Sequence, residues 1–215
     1  MALVVLAGIV LLGRALKDFM PGKKRLYKDL QAMKEDMDHW VEELVPLTQE
    51  ELDTFSFNQI KQSLKKRFSK RAKGIFTTIY HEPVLAYSYR KYSGPGQKAV
   101  LLARTHDEDF AYVKGKEGVR IAIGQRELGT LKADGTLVSA KHQKAIAEVS
   151  QAEGELLPVR VNDREVASVS RKNQGTREEL GQRAFQFVKE DMSQEEKDIF
   201  LSLAVLKVVD QSLSL

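Results

Sequence analysis

Residues 199–209, IFLSLAVLKVV, are apolar around almost the whole circumference of a helix, broken only by Ser202 and Lys207. A helix that is greasy on every side must be enclosed by protein or lipid. At ~1.5 Å per residue the run is on the order of 16 Å long against a bilayer core of roughly 30 Å, so it is too short to span one. Its start is marked by Ser193 and Glu196, an S-x-x-E capping box that places the first helical residue near Gln194 and the helix over 194–212. The chain ahead of it reads as short strands, and strands wrapped around one buried helix make a barrel. An amphipathic helix lying on an open sheet, with Ser202 and Lys207 on its wet side, is the alternative.

From Gly74 the apolar period is two. Ile75–Tyr80, Leu85–Tyr92, Ala99–Arg104, Phe110–Val113 and Val119–Ile123 are strand-like, separated by turn clusters such as His81-Glu82-Pro83 and Ser93-Gly94-Pro95-Gly96. Gly129–Lys132 pairs with Thr136–Ser139 across Asp134-Gly135, a dipeptide suited to a type I′ turn in which both central residues take positive φ. His142–Val149, Leu156–Val161 and Glu165–Ser170 continue the series, the last two joined by Asn162-Asp163. The block from Asn173 to Met192 fits either a surface helix with Leu180, Ala184, Phe185 and Val188 inward, or an irregular excursion with one strand around Ala184–Val188.

The segments IGQRELGTLKADGTLVSA (123–140), LLPVRVNDREVASVSRK (156–172) and DMSQEEKDIFLSLAVLKVVDQ (191–211) resemble the tubby-like superfamily, particularly its phospholipid-scramblase and LURP-one-related branch. In the last segment an acidic, capped start runs into an apolar helix closed by Asp210, as in that family's central helix. The resemblance covers residues 74–215 and implies about a dozen strands around a hydrophobic helix, in proteins that sit at membranes and bind lipids or anchor other factors. The scramblase-type cysteine cluster and proline-rich amino-terminal segment are missing, so calcium dependence and lipid scrambling do not carry over. Nor does a phosphoinositide site, because tubby's basic ligands match no positions here.

Ala2–Leu12, ALVVLAGIVLL, carries no charge, and the segment runs on to Pro21. The uncharged run is shorter than the roughly 17–25 residues of a spanning helix, but Arg14 and Lys17 can snorkel, so residues 2–20 could just cross. Lys23, Lys24, Arg25 and Lys28 follow it, which by the positive-inside rule leaves the rest of the chain cytoplasmic. Residues 1–22 are therefore read as a single-pass anchor oriented by Arg14, Lys17, Lys23, Lys24 and Arg25. A cleaved secretory signal and a hydrophobic helix docked on protein are the other readings. The signal is disfavoured because its positive charge follows the apolar core.

Between anchor and barrel, residues 23–73 read as a helical hairpin. Leu26, Leu30, Met33, Met37, Trp40 and Leu44 form a seam at spacings of four and three. Pro46 ends it, and Thr48 with Glu51 starts a second helix through Leu52, Phe55, Ile60, Leu64 and Phe68. The first helix and the turn are acidic (Glu35, Asp36, Asp38, Glu42, Glu43), whereas Lys61, Lys65, Lys66, Arg67, Lys70, Arg71 and Lys73 make a basic run. Such a run can bind anionic headgroups, at about 1 kcal/mol per charge near the surface, or it can be a solvated face neutralised by its acidic neighbour. Nucleic acid is not expected, because the nearby aromatics are spaced like core residues rather than a stacking platform.

Composition adds limits. The 215 residues are 42% apolar and 30% charged with net charge +4, which is ordinary globular usage. Cysteine is absent, which removes disulfides and thiolate chemistry. His39, His81, His106 and His142 lack metal-ligand spacing, and His106-Asp107-Glu108-Asp109 is as well explained by a solvated turn as by a cation site. The expected fold is thus mainly β with helices (α+β), an antiparallel barrel around a carboxyl-terminal helix, preceded by a membrane helix and a helical hairpin. The expected function is a membrane-tethered, non-enzymatic lipid-binding or adaptor protein without metal or other cofactor, in which Lys65, Lys66, Arg67, Lys70 and Arg71 touch anionic headgroups. Two rivals stand beside it: a module that docks a protein partner through the helical hairpin, and a hydrolase in a barrel cleft.

Overall fold

The computed structural model describes residues 22–66, 70–93, 98–150, 154–172 and 181–213. Helix α1 (Lys23–Val41) and the short α2 (Gln49–Thr54) precede eleven consecutive strands: β1 (Phe55–Lys66), β2 (Lys70–Thr78), β3 (Pro83–Lys91), β4 (Ala99–Arg104), β5 (Asp109–Gly115), β6 (Gly118–Ile123), β7 (Arg126–Leu131), β8 (Thr136–Ser139), β9 (Ala145–Val149), β10 (Leu156–Val161) and β11 (Arg164–Ser170). A two-residue β12 (Phe185–Gln186) and helix α3 (Gln194–Leu213) complete the chain. Neighbouring strands pair antiparallel in sequence order throughout the 12-stranded sheet. The two ends meet beside β12, where a bridge joins Ser56 to Arg183. There the Ala184 N–H donates to the Phe55 carbonyl at 2.8 Å, and the Phe57 N–H donates to that of Gln182 at 3.0 Å. The result is a near-closed antiparallel barrel with a carboxyl-terminal helix, consistent with a tubby-like type of fold in general.

Helix α3 is enclosed by this barrel. Leu203, Ala204, Val205, Val208 and Val209 are fully buried, and so is Ser202, which removes the reading of a helix with a wet side at that position. The Ser202 hydroxyl donates to the Ile199 carbonyl at 2.7 Å, and the Tyr112 hydroxyl donates to the Ser202 carbonyl at 2.9 Å. The capping box forms: the Ser193 N–H reaches Glu196 Oε2 at 2.8 Å and the Glu196 N–H reaches Ser193 Oγ at 3.2 Å. The Ser193 N–H, and after it the Ser193 hydroxyl, favour the ionised Glu196 carboxylate and lower its pKa.

Strands β2–β4 are buried on both faces. Leu85, Tyr87 and Tyr89 point to the barrel core, whereas Ile75, Ala86, Val100 and Leu102 form a second apolar cluster on the outside. Helix α1 covers that cluster with Leu26, Met33, Met37 and Trp40, and Leu44 joins it just past the helix. The seam read from sequence is therefore real, but its partner is the barrel wall.

Two expectations are corrected. The helical hairpin does not form, because the second helix stops at Thr54 and the chain continues as β1. Register shifts lie between Phe55 and Gln59 and between Ile60 and Ser63, with Lys61 at φ 52°, and these bulges hide the period of two that would have identified a strand. The single-pass membrane protein, with its cytoplasmic carboxyl-terminal domain, is also not upheld. Among the described residues no helix is long and apolar enough to cross a membrane. The first turn of α3 is charged and α1 is amphipathic, so neither offers the necessary apolar length. The segment 2–20, with Arg14 and Lys17, lies outside the described residues. Lys23, Lys24 and Arg25, expected to orient an anchor, belong to the first turn of α1.

Smaller differences have local causes. At Asp134-Gly135 only Gly135 has positive φ, so no type I′ turn forms there; Asn162 and Asp163, at φ 47° and 66°, are the pair with both central residues left-handed. Residues 173–180 lie outside the described residues; over 181–192 the irregular reading is realised, with a strand at Phe185–Gln186.

Candidate ligand-binding cleft

The basic run becomes the end of the β1–β2 hairpin. Register sets Lys65 opposite Arg71 and Lys66 opposite Lys70, and on the next ladder Arg71 lies opposite Arg90 of β3. Lys65, Arg71 and Arg90 thus stand in one row across three strands on the outward face. Opposed side chains in a sheet lie ~5 Å apart, and like charges so placed repel.

Beside this row is a cleft of about 360 Å³ between α1 and the sheet. Lys65, Arg71, Lys73 and Arg90 line it from the strands, Asp29 and Asp36 from α1, with Ser63, Ser88 and Tyr89 between them. Asp29 is a hub: it accepts from Arg90 Nη1 at 2.8 Å, Arg25 Nε at 3.1 Å and the Tyr92 hydroxyl at 2.5 Å. Asp29 and Arg90 are both buried, so each stabilises the other's charge where water cannot. Burial and the Asp29 carboxylate raise the Tyr92 pKa, which keeps that hydroxyl a donor. Tyr89 is pushed up to about 12, first by burial and then by Asp210.

Asp36 accepts from Lys73 Nζ at 2.6 Å, and both groups are open to solvent, at 51% and 34% exposure. The same ammonium lies 5.0 Å from the Trp40 ring centroid. Further along α1, Asp38 binds Arg104 at 2.5 Å, Lys34 pairs with Asp109, and Glu43, just past the helix, takes Lys61 at 2.5 Å. Burial alone would raise Asp109, but bonds from Lys34 and Arg104 outweigh it and hold the carboxyl below its usual range.

Of the expected headgroup residues, the structure brings Lys65 and Arg71 to the cleft. Lys70 faces the other way and donates to the Leu213 carbonyl at 2.6 Å. Lys66 is placed only through its backbone pairing, and Arg67 lies outside the described residues. Sequence reasoning missed Asp29, Asp36 and Arg90 as cleft residues. Arg90 carried a signal: it is a cation inside the apolar run Val84–Tyr92, and a charge there needs a partner from another element.

A smaller cavity of about 250 Å³ is lined by Val41, Arg104, Thr105, Gly124 and the His106–Asp109 turn. Among the described residues no group of histidines and carboxylates comes together that could hold a metal ion. Comparisons with protein-family models, curated proteins and solved structures give no match, so the cleft is interpreted on its own geometry.

Proposed function

We propose that this chain is a non-enzymatic binding module that recognises the phosphate-bearing headgroups of anionic lipids through the cationic wall of the cleft. The observation that carries this is the row Lys65, Arg71, Arg90. Asp29 offsets Arg90 and Asp36 offsets Lys73, so the described cleft residues carry an excess of two positive charges, which an incoming anion would balance. The tubby-like resemblance, in its scramblase and LURP-one-related branch, supports the same ligand class. The helical-hairpin docking module finds no surface, since Met37 and Trp40 are buried against the barrel.

Flotation of the full chain on vesicles tests this, read as the excess binding to phosphatidylserine in phosphatidylcholine over phosphatidylcholine alone. Lys65→Glu and Arg71→Glu should each lower that excess about 30-fold, from ~1 kcal/mol per charge at an anionic surface over a reversal of two charges. Added salt should lower it as well. Lys141→Glu, exposed in the β8–β9 turn at the opposite end of the barrel, makes the same change in net charge and should leave binding near wild type. Equal losses in all three variants, or none in any, would remove the cleft from the interaction.

A further inference from the structure

We propose that helix α1 regulates this cleft as an acidic competitor in cis, with Lys73 exchanging between Asp36 and the bound anion; this rests on the anionic-headgroup reading above. The two carboxylates that α1 presents to the cleft are held very differently. Asp29 is buried and fixed by Arg90, Arg25 and Tyr92, and its bond to Arg90 forms part of the packing of α1 on β3. Asp36 is half exposed and has Lys73 alone among the described partners, at 2.6 Å. An exposed pair of this kind is weak and readily exchanged.

Lys73 is well placed to move between partners. It stands opposite Ser63 on β1 and Ser88 on β3, in the row next to Lys65, Arg71 and Arg90, and all of these residues except Arg90 and Ser88 belong to the hairpin. Its ammonium rests near the Trp40 ring, whose face tolerates a cation in either position. A phosphodiester in the cleft would offer the same single charge as the Asp36 carboxylate, and it would share it with Lys65 and Arg71 as well as Lys73. While Asp36 holds Lys73, an incoming headgroup meets a partly neutralised wall; once it is released, the second row joins the first. The helix that completes the cleft also sets the threshold for filling it.

The test uses the same vesicle assay on the full chain. Asp36→Asn should raise excess binding to phosphatidylserine vesicles about two- to fivefold, the range expected when a weak exposed pair is removed. Asp163→Asn is the control for net charge. It is exposed in the β10–β11 turn at the far end of the barrel, and its φ of 66° suits asparagine equally well. It should bind as wild type. In a Lys73→Gln background the gain from Asp36→Asn should vanish. A gain no larger than that of Asp163→Asn, or one that persists without Lys73, would overturn the exchange while leaving the headgroup reading intact, provided Lys65→Glu and Arg71→Glu still bind less. If those two variants bind normally, the headgroup reading fails and the exchange with it. Asp36 is exposed and Lys73 partly so, and an unchanged melting curve for each variant separates a binding effect from a folding one.

Discussion

Asp210 is the residue whose setting sequence conveyed least. It reads as the polar close of an apolar helix, yet it lies within electrostatic reach of Tyr89 and Tyr112 on the barrel's inner face and of Lys114 and Lys207. Burial raises its pKa, and the two lysines offset that only in part. Burial likewise lowers the pKa of Lys207, one turn earlier. A carboxyl raised on folding favours the native state below its unfolded pKa, and that contribution is lost as pH rises through the folded value. At neutral pH the ionised form is therefore a net cost, which Asp210→Asn should remove. Thermal melts should show the variant above wild type at pH 7, with the difference shrinking as pH is lowered past the carboxylate range. A variant less stable than wild type at pH 7 would mean that Lys114 and Lys207 depend on the charge more than burial opposes it. Asp29 gives the contrasting case. In the sequence it is one acid among many on α1, and only its fixed position opposite Arg90 and Tyr92 makes it a hub.

Among the elements, those with a clean period were legible and those with interrupted periods were not. The second half of β2, strands β3 to β11 and the capped start of α3 follow from alternation, turn residues and the Ser193–Glu196 box, whereas Lys70–Lys73 reads as helix and is strand. The first strand does not, because its two bulges push Ile60 and Leu64 to the surface, and a lysine-rich stretch with apolar residues every three to five positions looks helical. That one misreading changes the geometry of the basic run: Lys65 and Arg71, expected together with Lys66, Arg67 and Lys70 on one helix, are partners across a ladder. The Gly129–Ser139 pairing was legible, and the structure shows why position 129 must be glycine. A Cβ built there would overlap the Val138 carbonyl oxygen on the neighbouring strand. The obstacle is backbone, so it cannot rotate aside. Gly129→Ala should destabilise the protein by about 1–3 kcal/mol, as overpacking does in ordered cores. Urea denaturation would register this as a lower midpoint at unchanged slope; a shift within error would mean that the β7–β8 ladder separates at little cost.

Across the whole molecule, strands β2–β4 carry two apolar cores, one around α3 and one under α1, and the two are held by different forces. The inner core is sealed by a ring of backbone hydrogen bonds that closes through Phe55, Phe57, Gln182 and Ala184. Among the described residues the outer core has one helix for a cover. Around its rim the pairs Lys34–Asp109, Lys61–Glu43, Lys73–Asp36 and Arg104–Asp38 each include an exposed member. Exposed pairs contribute about 0–1 kcal/mol each and weaken as salt screens them, whereas the buried Asp29–Arg90 pair is screened far less. Helix α1 should accordingly open as a unit before the barrel does, since regions with one packed face and solvent-facing bonds occupy the low end of the stability range. Native-state hydrogen exchange can resolve the two. Amides of residues 30–41 should open at a lower free energy than those of residues 201–209, and high salt should lower the first value while leaving the second nearly unchanged. If both groups open at one common free energy in low and high salt alike, the cover and the barrel unfold together, and the cleft between them has fixed walls.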